Sequence, residues 1–328
     1  MASALPDPTS TGAPAQARRG RRLLSADAML PLFIAAIAIV AGLIQPRFWS
    51  VDNFFNLARQ MVPLMIISIG QAFAIIRGGL DLSLAAVMSL AGVAGVLVMQ
   101  QYGVAPGIAV MIVTGMATGA VTGTIIAYLR TTPLVVTLGM LSVAQALALI
   151  ASGGVPIYDV PPAYVEAVGF GAVAGVPTTV LIAIAMAVAA TLLLRRTVFG
   201  RYVYAIGSNP SAAAKSGVDV RLVTLMVYVV SGFAAAIGAV VLTAWVGSAQ
   251  PIAAPNITLE SLAAVVLGGV ALTGGSGGIR QVFLGVLVLS LLSNVMNMIG
   301  VSAYFQTLAV GIVIIVAVVL DRLRRQDR

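Results

Sequence analysis

Ten apolar runs follow one another along the chain. They cover about Met29–Gln45, Met61–Ile76, Leu82–Met99, Ala105–Leu129, Leu134–Ser152, Thr178–Leu194, Leu222–Trp245, Leu259–Leu272, Val282–Ile299 and Tyr304–Leu320. Roughly 20 consecutive apolar residues cross the hydrocarbon core of a bilayer as one helix. The pattern therefore predicts an all-α polytopic membrane protein of about ten transmembrane helices. The stretch from Met61 to Met99 is nearly continuous and about twice one crossing, so it needs a break, and Arg77-Gly78-Gly79-Leu80-Asp81 supplies it. The eighth run is short and ends in Thr273-Gly274-Gly275-Ser276-Gly277-Gly278.

Residues 1–28 are rich in Pro, Ser, Ala and Arg and carry no helical apolar pattern, which predicts a disordered cytoplasmic tail. Arg18, Arg19, Arg21 and Arg22 before an apolar run have the look of a signal peptide. That run leads into Gln45-Pro46-Arg47-Phe48 with no small-residue cleavage site, so it is expected to stay as the first membrane helix. Residues 29–320 form the membrane domain, with an inner loop at 195–221, and 321–328 form a second cytoplasmic tail.

With the N-terminus inside, ten crossings return the C-terminus inside, and sixteen of the 18 Lys and Arg fall on the inner side. Only Arg47 and Arg59 fall outside, together with Asp52, Asp159, Glu166 and Glu260. Cytoplasmic loops of membrane proteins carry this excess of basic residues. The net charge of +8 is thus a matter of topology and not of nucleic-acid binding.

Composition narrows the chemistry further. Apolar residues make up 60% of the chain and charged ones 9%, against about 25% charged in a soluble domain. There is no Cys and no His, which removes disulfides, thiolate chemistry, Ser-His and Cys-His catalysis and the commonest zinc ligands; no metal site is expected. Lys215 is the single lysine and follows Ala214. A phosphate-binding loop needs Gly-Lys-Ser/Thr, so no P-loop is present and any ATP coupling has to come from a partner.

Several polar constellations interrupt the apolar background. Gly115, Gly119 and Gly123 form a ridge on the fourth helix, suited to close helix packing. In the break, Asp81 or Ser83 can cap the third helix. Alternatively, Gly78, Gly79, Asp81 and Ser83 belong to a discontinuous helix lining a polar cavity. Ser290, Asn294 and Asn297 share one face of the ninth helix, as interhelical glue or as a hydrogen-bonding stripe along a pathway. Gln71 and Gln145 carry the same two readings. In the inner loop, Asn209 suits an N-cap, Pro210 the first helical position and Gly217 a C-terminal stop. The small Ala face of that segment can seat in a groove of a cytoplasmic partner.

Four motifs carry a family resemblance over about Met61–Leu320. Gly79-Leu80-Asp81-Leu82-Ser83 resembles the glycine–hydrophobe–Asp-Leu-Ser signature of the ribose/monosaccharide permeases of ABC importers, in the branched-chain amino acid/ribose-type permease superfamily. Thr132-Pro133 with Val136-Thr137-Leu138-Gly139, closed by Gly153-Gly154, resembles the family's proline-led fifth helix. Gly207-Ser208-Asn209-Pro210 with Ala212-Ala213, Ser216 and Gly217 resembles its coupling loop. Leu267-Gly268-Gly269 with Leu272-Thr273-Gly274-Gly275-Ser276-Gly277, followed by the Asn294/Asn297 helix, completes the match. Arg77 departs from the pattern, which has a small or apolar residue before that glycine.

The resemblance implies a transmembrane permease subunit of the bacterial cytoplasmic membrane, importing a ribose-like pentose or a hexose and doing no covalent chemistry. It implies two cytoplasmic ABC ATPase subunits that carry the ATP and Mg, an extracytoplasmic sugar-binding protein, and a second permease copy as a homodimer or paired subunit. The chain itself is expected to bind no cofactor; its only other surroundings are membrane lipid. Gln71, Gly78, Gly79, Asp81, Ser83, Gln145, Ser290, Asn294 and Asn297 are the expected pathway residues. Gly207, Asn209, Pro210, Ala213, Ala214, Lys215 and Gly217 are the expected ATPase-coupling residues. Gly78-Gly79-x-x-Leu82-Ser83 against Gly268-Gly269-x-x-Leu272-Thr273 is compatible with an internal duplication of helices two to five and seven to ten. Related permeases take nucleosides or branched-chain amino acids. An ion-coupled secondary transporter would carry intramembrane acids or His along an ion path, and here Asp81 is the one carboxylate well inside the run pattern. A scaffolding membrane protein is the remaining rival.

Overall fold

The computed structural model describes residues 26–302, 304–312 and 315. The expected tails fall outside the described residues, except that helix α1 (Ala26–Ile44) is already formed three residues before Met29. Helix α2 (Val51–Ile76) begins ten residues before the apolar run does. Ser50 caps it by accepting the Asn53 N–H at 3.2 Å. Its first turns mix polar residues with apolar ones such as Phe54 and Leu57, so an apolar-run reading starts too late.

Helix α3 (Leu84–Tyr102) and helix α4 (Val104–Tyr128) are joined by Gly103 alone, and α5 (Pro133–Ser152) follows with Pro133 in its first turn. The outer Gly/Pro-rich segment is folded. It holds the single turn α6 (Pro162–Tyr164), a π-helical turn (Val165–Phe170) and the antiparallel pair β1 (Ala172–Val173) and β2 (Val176–Pro177). The buried Tyr164 hydroxyl donates to the Val240 carbonyl and pins this segment down.

Helix α7 (Thr178–Arg196) leads to the inner segment. The region expected as a polar loop with one short helix contains two helices, α8 (Val198–Ser208) and α9 (Pro210–Lys215). Helix α8 buries Gly200, Val203 and Ile206, three residues apart, and is too short and too mixed to register as an apolar run. Then come α10 (Val220–Val246), α11 (Ile257–Leu267), α12 (Ile279–Met298) and a helical segment at 304–312.

Among the described residues seven helices are long and apolar enough to cross a membrane: α2, α3, α4, α5, α7, α10 and α12. The apolar parts of α1 (Leu30–Ile44) and α11 are shorter. The core is built on α2, α3 and α10. Their most apolar stretches are 83%, 72% and 61% buried, against 22–28% for α4, α5 and α7, whose apolar faces are open to lipid or to another chain.

The glycine ridge of α4 lies on α10. A Cβ at Gly115 would stand 2.4 Å from the Gly232 carbonyl oxygen, and one at Gly232 would stand 2.0 Å from that of Gly115. Gly119 and Gly123 meet the carbonyls of Tyr228 and Leu225 in the same way, at 2.2 and 2.8 Å. Removing side chains at the crossing lets the two backbones touch, and dispersion contacts then hold helices that lipid would solvate equally well.

Candidate functional site

The break after α2 is a helix stop followed by an extended, buried turn. Gly78 takes φ +90°, and the Gly78 and Gly79 N–H groups return to Ile75 and Ala74 at 2.8 Å each. This reverse turn satisfies carbonyls at the helix end and requires a residue that tolerates positive φ. Helix α11 ends the same way, with Gly269 at φ +100° and bonds from Gly269 and Val270 to Val266 and Val265. The two stops therefore superpose Gly78 on Gly269. The spacing expected from the sequence, Gly78 on Gly268, is off by one residue.

Asp81 is buried inside this break and accepts three hydrogen bonds. Oδ1 takes the Ser83 N–H at 3.0 Å and the Ser83 hydroxyl at 2.6 Å, and Oδ2 takes the Ser231 hydroxyl of α10 at 2.6 Å. Neither Asp81 nor Ser83 caps α3 through its side chain; the Ala85 N–H is received instead by Thr258 Oγ1 of α11 at 3.0 Å. The carboxylate thus knots α2, α3 and α10 together. Arg77, at the end of α2, donates from Nε and Nη2 to Thr224 Oγ1 at 3.0 and 2.7 Å. A cation at a helix C-terminus also matches the helix dipole.

The inner helix pair presses on this break. A Cβ at Gly207 would lie 1.9 Å from the Ile76 carbonyl oxygen and 2.5 Å from the Gly275 nitrogen, while the Gly275 N–H donates to that same Ile76 carbonyl at 2.8 Å. The end of α2, the end of α8 and the glycine-rich segment after α11 therefore meet backbone to backbone. Tyr204 of α8 reinforces the junction by donating to the Gly277 carbonyl at 2.8 Å. Burial pushes its hydroxyl above the usual tyrosine range, partly offset by Arg195, so it remains a donor.

Helix α9 has the local geometry read from its residues. Asn209 Oδ1 accepts the Ala212 N–H at 3.0 Å, Pro210 opens the helix and Gly217 takes φ +83°. One expected docking residue is misplaced. Ala213 is 5% exposed and packs into the protein's own core, whereas Ala214 and Lys215 face outward. An open cleft of about 890 Å³ lies beside α9, lined by Pro210, Ala214, Arg77, Arg130 and Arg221 among others.

The remaining expected pathway residues separate. Gln145 donates to the Pro251 carbonyl and ties α5 to the outer segment before α11. Asn294 exchanges two hydrogen bonds with Asn53 of α2, at 3.2 and 3.0 Å, and exposed Asn297 accepts from Gln306 at 2.7 Å. These amides join helices, as glue does. Gln71 is fully buried in α2, and both polar atoms of its side chain meet no partner among the described residues; Ser68, one turn earlier, is in the same position. Ser290 borders a cavity. Ser231, Thr258 and Asn53 escaped the sequence reading, because each lies at least 150 residues from the group it binds and no local spacing marks it.

Comparison with known proteins adds the family. A family model described as the permease component of the branched-chain amino acid transport system matches residues 53–318. The chain belongs to this permease family. Its relatives include the ribose import permease protein RbsC of Bacillus subtilis, 37% identical over 89% of this chain and 91% of the relative. The D-allose transport system permease protein AlsC of Escherichia coli is 32% identical over 88% and 90%. The L-arabinose ABC transporter permease protein AraH of Azospirillum brasilense is 32% identical over 98% and 95%. No solved structure matches the chain. As a permease component, the protein is a multi-pass membrane subunit of a transport system.

Proposed function

We propose that this permease is the translocating subunit of an ATP-driven importer for a monosaccharide in a bacterial cytoplasmic membrane. The relatives, aligned along about nine-tenths of their length, are named for ribose, allose and arabinose, a narrower chemistry than the family description. The observation that carries the mechanism is the backbone junction at Gly207. It links an inner helix pair to the end of the core helix α2 and to the glycine-rich segment that follows α11. A cytoplasmic ATPase that grips α9 would move α8, and with no side chain between them α8 displaces the end of α2 and the segment around Gly275 together. A sugar-binding protein delivers solute from outside, and a second permease copy completes the assembly.

The exposed side of α9 tests this reading. Ala214→Trp is expected to leave the permease in the membrane at normal level, to prevent co-purification of its ATPase and to abolish uptake. Ala213→Trp should instead lower the yield of folded protein, since overpacking a core costs about 1–3 kcal/mol. Normal co-purification and uptake by Ala214→Trp would remove α9 from the coupling surface.

A further inference from the structure

Away from the coupling junction, α2, α10, α11 and α12 enclose a cavity of about 290 Å³ that opens between them. Its lining includes Gln60, Trp245, Asn256, Glu260, Ser290 and Ser293. All six sit toward the outer halves of their helices. Asn256 and Glu260 stand at the start of α11, Trp245 one residue before the end of α10, and Ser290 and Ser293 in the second half of α12. With the inner side fixed by the basic residues, the cavity lies where a solute arriving from outside would first be held.

The polar groups here are unspent. Among the described residues, the side chains of Gln60, Asn256, Glu260, Ser290 and Ser293 make no hydrogen bond within the protein, although Ser290 is only 5% exposed. The buried Asp81 and Asn294, by contrast, are hydrogen-bonded within the protein. Five polar side chains converging on one cavity without partners offer both donors and acceptors to a ligand. The size is close to the lower end of small-molecule pockets, roughly 300–1,000 Å³, and the mix of an apolar wall with a few polar groups is what such pockets use.

The lining also selects the ligand's chemistry. Among the described residues no Lys or Arg borders the cavity, so none of them pairs the carboxylate of an amino acid or the phosphate of a sugar phosphate. Two amides, two hydroxyls and one carboxylate suit the neighbouring hydroxyls of an uncharged polyol, and Trp245 supplies an aromatic surface for its C–H faces. We infer that this cavity is the permease's own binding site for a neutral monosaccharide, with Glu260 and Trp245 as its principal contacts. The inference rests on the sugar-importer reading above and adds a site to it. It makes the permease a second point of selection after the binding protein.

The test uses the assembled transporter, with its ATPase and binding protein, in proteoliposomes given labelled ribose, arabinose or allose. Glu260→Gln, which changes no volume, and Trp245→Ala are each expected to lower uptake about tenfold, or 1.4 kcal/mol. Ser293→Trp, which fills the space, should abolish uptake. Assembly and ATP hydrolysis should persist in all three. Wild-type uptake by all three variants would overturn the site while leaving the sugar reading intact. Loss of assembly in Glu260→Gln would make Glu260 a structural residue and would also overturn it. Competition by an excess of leucine delivered inside the assembled system would assign the cavity to amino acids instead. A wild-type transporter that imports none of the three sugars would refute the underlying reading itself.

Discussion

Gly232→Val is expected to leave little folded permease. The new Cβ would come within 2.0 Å of the Gly115 carbonyl oxygen, and the obstacle is backbone, not a movable side chain. Helices α4 and α10 would have to separate along their whole contact, so the cost should exceed the usual overpacking range of about 1–3 kcal/mol. Gly139→Ala provides the contrast. Gly139 lies in α5 with nothing within 4 Å of the added carbon, and Ala is the better helix former by about 1 kcal/mol. The fraction of monodisperse protein after detergent extraction and graded heating measures both. A Gly232→Val protein as heat-resistant as the wild type would show that the two helices do not meet there.

The second large effect is expected at Asp81. Asp81→Ala strands the Ser83 N–H, the Ser83 hydroxyl and the Ser231 hydroxyl in a buried site. Each buried donor left without an acceptor costs about 1–3 kcal/mol, and the hydroxyls can turn to recover part of it, so a loss of roughly 2–4 kcal/mol is expected. Asp81→Asn keeps an acceptor for Ser83 and turns an NH₂ toward Ser231, whose oxygen can accept. It should therefore cost about 1 kcal/mol. Thermal unfolding in detergent ranks the two substitutions, and uptake by the assembled transporter shows whether the knot also serves transport. Equal damage from Ala and Asn would mean that the three hydrogen bonds are not what Asp81 contributes.

Reading α2 shows how far hydropathy reaches. Its inner end at Ile76 was legible, because the apolar run stops at Arg77-Gly78-Gly79 and those residues terminate a helix for local reasons. Its outer end was not, because Val51–Gln60 is helical without being uniformly apolar, and only the Ser50 cap and the Asn53–Asn294 pair mark it. The inner segment behaves likewise. The cap, proline and glycine of α9 were readable from residues three to eight apart. The amphipathic α8 acquires meaning only from the core it covers.

The pattern of apolar runs determined the membrane class, while the basic residues of the inner loops and the absence of a P-loop carried the expectations of orientation and of ATP coupling through a partner. Each of these follows from composition and short-range order, which a sequence displays directly. Which polar groups are consumed and which remain open was decided by tertiary structure alone. Asp81, Gln145 and Asn294 looked alike as candidates for a pathway, yet each is engaged by a partner 106–241 residues away. Glu260 and Trp245 looked like loop and helix-end residues, yet they face a shared cavity with Ser290. A hydrogen bond or a cavity is a relation between distant segments, and only the packing of α2, α10, α11 and α12 brings those segments to within bonding distance.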